Sequence, residues 1–239
     1  MLFYVYMNAL WISRICSYKN SPNALKTTKR IIELKIQRSS VLLILHKQTP
    51  FQPQLNRIKS IQKILLEEAR AAKYFWDRFS KLIPAENNFS GRKPRAKDIT
   101  NTLLDVGYHN LAQKIKSILE QHDCSPAIGL FHAAHQSNSS PLIYDLMECF
   151  RSDIVDASVL KFLRLKKRPF QNFNPHSVAI FINRMNKKYR KQHYLKDFHA
   201  CRSYEYYMEL QILKFIYAVN HDKVFKPIIL PKRHDTRCS

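Results

Sequence analysis

Three glycines, Gly91, Gly107 and Gly129, are all that this chain of 239 residues contains. Many-stranded β folds use glycine for turns with positive φ, and this chain cannot supply them. Its long stretches instead carry apolar residues at helical spacing, so the expected fold is mostly α. Ser21-Pro22 reads as a cap followed by proline at the first helical position. Leu25, Ile31, Ile32, Leu34 and Ile36 then continue one long helix to Leu45. Pro50 and Pro53 break it, and a second helix is expected from about Leu55 through Ile58, Ile61, Leu65, Ala72 and Phe75 to Leu82. After the loop PAENNFSGRKPRAKDITN, helices are expected at 99–121, 141–168, 175–192 and 198–220. We divide the chain into an apolar N-terminal stretch (1–20), a helical catalytic domain (21–227) and a basic C-terminal tail (228–239).

The formal charge of +22 is far beyond what solubility requires and points to a polyanionic partner or a basic tail. The lysines and arginines spread along the chain, which favours a folded basic surface. Five cysteines, at 16, 124, 149, 201 and 238, show no C-x-x-C spacing and are odd in number. They read as free thiols of a reducing cytoplasm and disfavour a structural zinc site. The opening MLFYVYMNALWISRICSYK lacks the basic start and cleavage site of a secretory signal and falls short of the ~20 apolar residues of a membrane span. It is expected to be a buried strand or helix, in a cytoplasmic protein that does not span a membrane.

Four side chains stand out as chemistry. Glu68 lies seven residues after Ile61, three after Leu65 and four before Ala72, which places its carboxylate on the core face of the second helix. A carboxylate there must be paired or metal-bound; at the edge of the face it would be wet and inert, or paired with a neighbouring lysine. His132 closes the apolar run Ala127-Ile128-Gly129-Leu130-Phe131. Asp145 and Glu148 neighbour each other on one helical face and repel in the absence of a cation, unless they form a solvated acidic surface. Taken singly, each has a bland explanation. Together they form an oxygen and imidazole set suited to Mg2+ or Mn2+, an ion able to polarise a phosphoryl oxygen and align an attacking hydroxyl. No P-loop, dinucleotide-binding glycine pattern or Ser-His-Asp order competes with it. A basic set surrounds these positions: Arg70, Lys73, Arg92, Lys93, Arg95, Lys97, Arg151, Arg164, Lys166, Lys167, Arg168, Arg184, Lys187, Lys188, Arg190 and Lys191. Of these, Arg70, Lys73, Arg92, Arg95, Arg151, Lys167 and Arg168 are the candidate DNA contacts, giving salt-dependent, sequence-neutral affinity.

Several segments resemble the CRISPR-associated integrase-nuclease family, the first of the Cas proteins. Glu68-Ala-Arg-Ala-Ala-Lys-Tyr-Phe-Trp76 is similar to that family's Glu-Gly-x-Ala-Ala-Arg-x-Tyr-Trp, with Ala69 in place of the usual glycine. Gly91-Arg92 through Asp98, and Asn101 to Tyr108, resemble its loop and following helix. Pro126-Ala-Ile-Gly-Leu-Phe-His132 and Tyr144-Asp-Leu-Met-Glu-Cys-Phe-Arg151 resemble two further signatures. Weaker similarity runs from about Ser21 to Pro227. The resemblance implies a helical catalytic domain whose divalent ion is held by Glu68, His132 and Glu148, with Asp145 as a nearby essential acid. It further implies an endonuclease and integrase of spacer acquisition in antiviral defence, joining DNA by transesterification. The implied partners are DNA, the small second Cas adaptation protein and a second copy of the chain. Family members carry an N-terminal β-rich domain for which the twenty residues before Ser21 leave no room, so dimerisation is an open expectation. The alternative is a non-catalytic basic nucleic-acid-binding remnant of the same family.

Overall fold

The computed structural model describes residues 2–56, 58–133, 140–165, 174–195 and 198–230, with side chains from residue 8 onward. Among them the helices are α1 (Leu2–Lys19), α2 (Pro22–Leu45), α3 (Ile61–Ser80), α4 (Ile99–Gln121), α5 (Pro141–Met147), α6 (Ala157–Leu163), α7 (Pro175–Tyr189) and α8 (Tyr204–Asn220). A 3-10 turn spans Ala85–Asn87, a π-helical turn spans Ser152–Asp156, and two strands, β1 (Gln192–Leu195) and β2 (Ala200–Ser203), form an antiparallel hairpin. The mostly helical expectation holds. Ser21 caps α2 by accepting from the Asn23 amide, with Pro22 at the first position. Asp98 caps α4 by accepting from the Asn101 amide at 2.9 Å.

One large apolar core joins all eight of these helices, α3 through Phe75 and Phe79. The apolar opening is part of it, since Trp11, Ile15 and Tyr18 of α1 are buried. Trp11 Nε1 donates to the Ser125 carbonyl at 2.9 Å, and the Tyr18 hydroxyl donates to the Lys223 carbonyl at 2.8 Å. Among the described residues no helix is long and apolar enough to cross a membrane. The chain after α8 returns along the bundle: Phe225, Ile228 and Leu230 are buried, and Gln211 Oε1 accepts from the Ile228 amide at 2.8 Å. A second, smaller cluster of Ile32, Ile36, Leu55, Ile64 and Ala71 glues α3 to α2.

Four differences from the sequence reading have physical causes. α3 begins at Ile61, later than expected, because Pro50 and Pro53 keep the preceding chain irregular and Ser60 supplies the cap, accepting from the Lys63 amide at 3.3 Å. The expected single helix over 141–168 is interrupted: α5 ends at Met147, and the π turn inserts an extra residue before α6. The helices expected at 175–192 and 198–220 give up their adjoining ends to the hairpin, paired from Gln192↔Ser203 to Leu195↔Ala200. Cys16, Cys124 and Cys149 are free thiols, whereas Cys201 is disulfide-bonded. An odd count of cysteines excludes full pairing, not a single pair; Cys238 lies outside the described residues.

The π turn is pressed against α4 at Gly107. A Cβ there would meet Val155 Cγ1 at 2.5 Å, and Val155 is fully buried and cannot give way. In an open helix Gly→Ala gains about 1 kcal/mol. Here overpacking outweighs that gain, so Gly107→Ala is expected to lower stability by about 1–2 kcal/mol, read as a lower denaturant midpoint. An unchanged or raised midpoint contradicts the close approach of α4 to the π turn.

Candidate active site

The short helix α5 starts on Pro141 and carries Asp145 into the protein, where its side chain is fully buried. The carboxylate closes the loop that precedes α5. It accepts from the Leu130 amide at 2.5 Å and the His132 amide at 3.0 Å, and its Oδ1 lies 2.7 Å from His132 Nδ1. Gly129 makes this closure possible, because a Cβ at that position would sit 2.8 Å from both Asp145 Oδ2 and the His132 carbonyl. Burial pushes the Asp145 carboxyl up, against the opposing pull of His132 and the two amides. A carboxylate on Nδ1 fixes the imidazole's tautomer and orientation and leaves the lone pair on Nε2. The His132 side chain is 40% exposed, so that lone pair belongs to a ring open to solvent.

Glu148 caps the other end of α5 and is 5% exposed. Arg151 Nη1 donates to both its oxygens, at 3.0 and 3.1 Å. Lys35 Nζ, reaching in from α2, lies 2.7 Å from Glu148 Oε2 and 2.5 Å from Glu68 Oε1 on α3. One ammonium thus bridges the two carboxylates. Burial opposes ionisation of Glu148, but Arg151 and then Lys35, with His132 nearby, outweigh it and hold the carboxyl down to about 2. Arg151 is itself braced: its guanidinium stacks on the Tyr108 ring at 4.6 Å, with Arg92 5.3 Å from the same ring centroid. The Tyr108 hydroxyl donates to Asp156 Oδ1 at 2.5 Å, and Ser152 Oγ donates to Asp156 Oδ2 at 3.0 Å. A cavity of about 80 Å3 opens beside this assembly, lined in part by Lys35, Glu68, Trp76, Arg151 and Asp156.

Two sequence expectations need correcting, and one alternative reading falls away. The core stripe of α3 runs through Ile64, Glu67, Ala71, Phe75 and Phe79, one position off the stripe drawn through Ile61, Leu65 and Ala72. Glu67 is therefore the buried carboxylate, accepting from the Gln54 amide at 2.8 Å and from Arg70 at 2.7 Å. Glu68 sits at the edge of the face, 20% exposed, which is what lets it look into a cleft. Asp145 and Glu148 do not form a solvated acidic surface; both are buried, each with its own partners. Arg151 faces inward onto Glu148 and Tyr108, and Arg92 pairs with Asp105 at 2.5 Å. Arg70, Lys73 and Arg95 are exposed, whereas Lys166, Lys167 and Arg168 lie outside the described residues. Sequence reasoning missed Lys35, Tyr108 and Asp156 as members of the site. Only the resemblance around Tyr108 touched any of them.

The donor set suits a hard divalent ion in its chemistry: two carboxylates that already share one cation, and an imidazole oriented through its other nitrogen. Among the described residues no three His, Cys, Asp or Glu side chains close around a single point; the point of convergence is the Lys35 ammonium. A second basic feature lies between α6 and α7, where Lys161, Arg184, Lys187, Lys188, Arg190 and Lys191 line a groove of about 500 Å3. Burial pushes Lys188 down to about 8 there.

Residues 8–198 match the family described as CRISPR associated protein Cas1. The chain belongs to that family. A Cas1 relative from Archaeoglobus fulgidus, named a CRISPR-associated endonuclease, is 36% identical over 113 residues, 44% of this chain and 32% of the relative. One from Mycobacterium tuberculosis, also so named, is 25% identical over 220 residues, 82% of this chain and 64% of the relative. The chain thus spans about one third to two thirds of the length of these curated Cas1 relatives. Among solved structures, a casposase bound to its integration product superposes with a TM-score of 0.77 at 23% identity, covering 95% of this chain and 70% of the other. A Cas1 protein of Thermotoga maritima gives 0.73 at 18% identity, covering 92% and 72%. These two share the helical fold.

Asp145→Ala leaves the buried amide of Leu130 and the half-buried amide of His132 without their acceptor, an unsatisfied buried group costing about 1–3 kcal/mol. Unfolding measurements are expected to show a loss of at least about 2 kcal/mol. A loss below about 0.5 kcal/mol, the range of ordinary surface substitutions, contradicts the role of Asp145 in closing the loop.

Proposed function

We propose that the chain is a metal-dependent DNA endonuclease and integrase of CRISPR spacer acquisition, acting in the cytoplasm on duplex or branched DNA. The observation that carries this reading is the bridging of Glu68 and Glu148 by one cation, close to an imidazole that Asp145 holds through Nδ1. Glu68, His132 and Glu148 would hold Mg2+ or Mn2+. Such an ion, when bound, polarises a phosphoryl oxygen and orients the attacking hydroxyl. Asp145 positions His132 rather than reaching the reacting atoms, since it is fully buried. Arg151, stacked on Tyr108, keeps Glu148 ionised and in place.

The groove between α6 and α7, together with exposed Arg70 and Lys73 on α3, supplies cations for phosphates. Backbone contacts of this kind position DNA without reading its sequence. Partners enter by analogy. A partial Cas6-RT-Cas1–Cas2 complex contains a chain that superposes with a TM-score of 0.75 at 17% identity, and a pairing with the small second Cas adaptation protein, and with a second copy of this chain, is proposed on that likeness.

Glu68→Ala is expected to abolish manganese-dependent cleavage of branched or duplex DNA while leaving DNA affinity within about twofold, because phosphate contacts lie elsewhere. Undiminished cleavage removes Glu68 from the site. The double substitution Lys187→Ala, Arg190→Ala is expected to weaken DNA binding and to reduce the log–log salt slope by about one to two. An unchanged slope removes the groove from the DNA path.

A further inference from the structure

Lys35 is a member of the site that no metal mechanism calls for, and it is held where an ion would sit. Its Nζ lies within ion-pair distance of both Glu68 and Glu148, on a side chain only 13% exposed. A magnesium ion binds carboxylate oxygens at about 2.0–2.1 Å, so an ion seated between Glu68 Oε1 and Glu148 Oε2 would take the place the ammonium holds. We propose that Lys35 is an internal placeholder for the ion: it neutralises Glu68 and Glu148 in the metal-free protein and is displaced from between them when the metal enters. This inference rests on the metal reading of the site.

The other cation at the site is unsuited to this part. Arg151 contacts both oxygens of Glu148, stacks on Tyr108 and is enclosed; it touches only one of the two carboxylates. A guanidinium fork of this kind is rigid, whereas a lysine is a point charge on a flexible four-carbon stem. The cavity of about 80 Å3 beside the site is lined by Lys35 itself and by Ser39, Ser152 and Asp156. The rest of its lining is mostly apolar, Ile36, Ala71, Phe75 and Trp76 among it, so the displaced lysine stem would lie along apolar surface while its ammonium meets Ser39 and Asp156. The placeholder also answers a folding problem. Two carboxylates brought together from α3 and α5 before any metal arrives repel each other, and burying a charge without a partner is costly. Lys35 resolves this at the expense of metal affinity, since the ion has to compete with it.

The test compares Mn2+ binding by calorimetry and by thermal shift in the intact chain and its Lys35 variants, without DNA. Lys35→Met removes the competitor. It is expected to lower the metal-free melting temperature and to tighten Mn2+ binding at least about fivefold, with a larger thermal shift on metal addition than the parent chain shows. Lys35→Arg keeps the charge in a form harder to displace and is expected to weaken Mn2+ binding at least about fivefold. If Lys35→Met does not fold without metal, the Arg variant and recovery of the Met variant by refolding with Mn2+ decide the matter. Equal affinities in all three proteins, or weaker binding by Lys35→Met, overturn the placeholder while leaving the metal site in place. A parent chain that binds no Mn2+ overturns both.

Discussion

An ionised carboxylate cannot be buried alone, and the twelve residues from Asp145 to Asp156 place four of them in or beside the core. Each is paired or hydrogen-bonded by a side chain or loop outside its own segment, and those contacts hold the bundle in register around the cleft. Asp145 is bound by the His132 loop, Glu148 by Arg151 and by Lys35 of α2, and Asp156 by Tyr108 of α4. Asp153 takes a two-pronged pair from Arg38 of α2, at 2.7 and 2.8 Å, and a bond from the Tyr204 hydroxyl of α8. Arg38 also donates to the Leu230 carbonyl, so the same pair fastens the last described residues of the chain.

Lys35 and Arg38 are one helical turn apart on α2 and face the same acidic segment. Their roles differ. Arg38 is 7% exposed and makes three hydrogen bonds, a structural lock. Lys35 faces a cleft and holds two carboxylates that come from different helices. The fold thus sets a rigid support one turn away from the flexible lysine stem that, on our proposal, yields when the charge balance of the site changes on binding an ion.

The long helices were legible from their apolar periodicity, and for α2 from Ser21-Pro22 at its start; the structure adds Asp98 and Asn174 as the caps of α4 and α7. The π turn was not, since apolar periodicity over 141–168 does not register one inserted residue. The hairpin escaped because strands of four residues amid basic side chains carry no clear alternation. The family resemblance, borne out by the match over residues 8–198, picked out Glu68, His132, Asp145 and Glu148. It did not reveal which of these face the cleft. Asp145 is enclosed, and Glu68 rather than Glu67 reaches the cleft because the α3 stripe is rotated by one position. Lys35 was invisible: a lysine between Leu34 and Ile36 looks like any helix surface until α3 and α5 bring carboxylates to it.

The central claim, that Glu68, His132 and Glu148 hold a divalent ion in exchange for Lys35, is tested most directly by anomalous scattering from crystals grown with manganese. The account predicts a manganese peak in contact with Glu68, His132 and Glu148, with the Lys35 ammonium moved out from between the carboxylates. Manganese absent from that position at saturating concentration, with Lys35 still bridging Glu68 and Glu148, would contradict it.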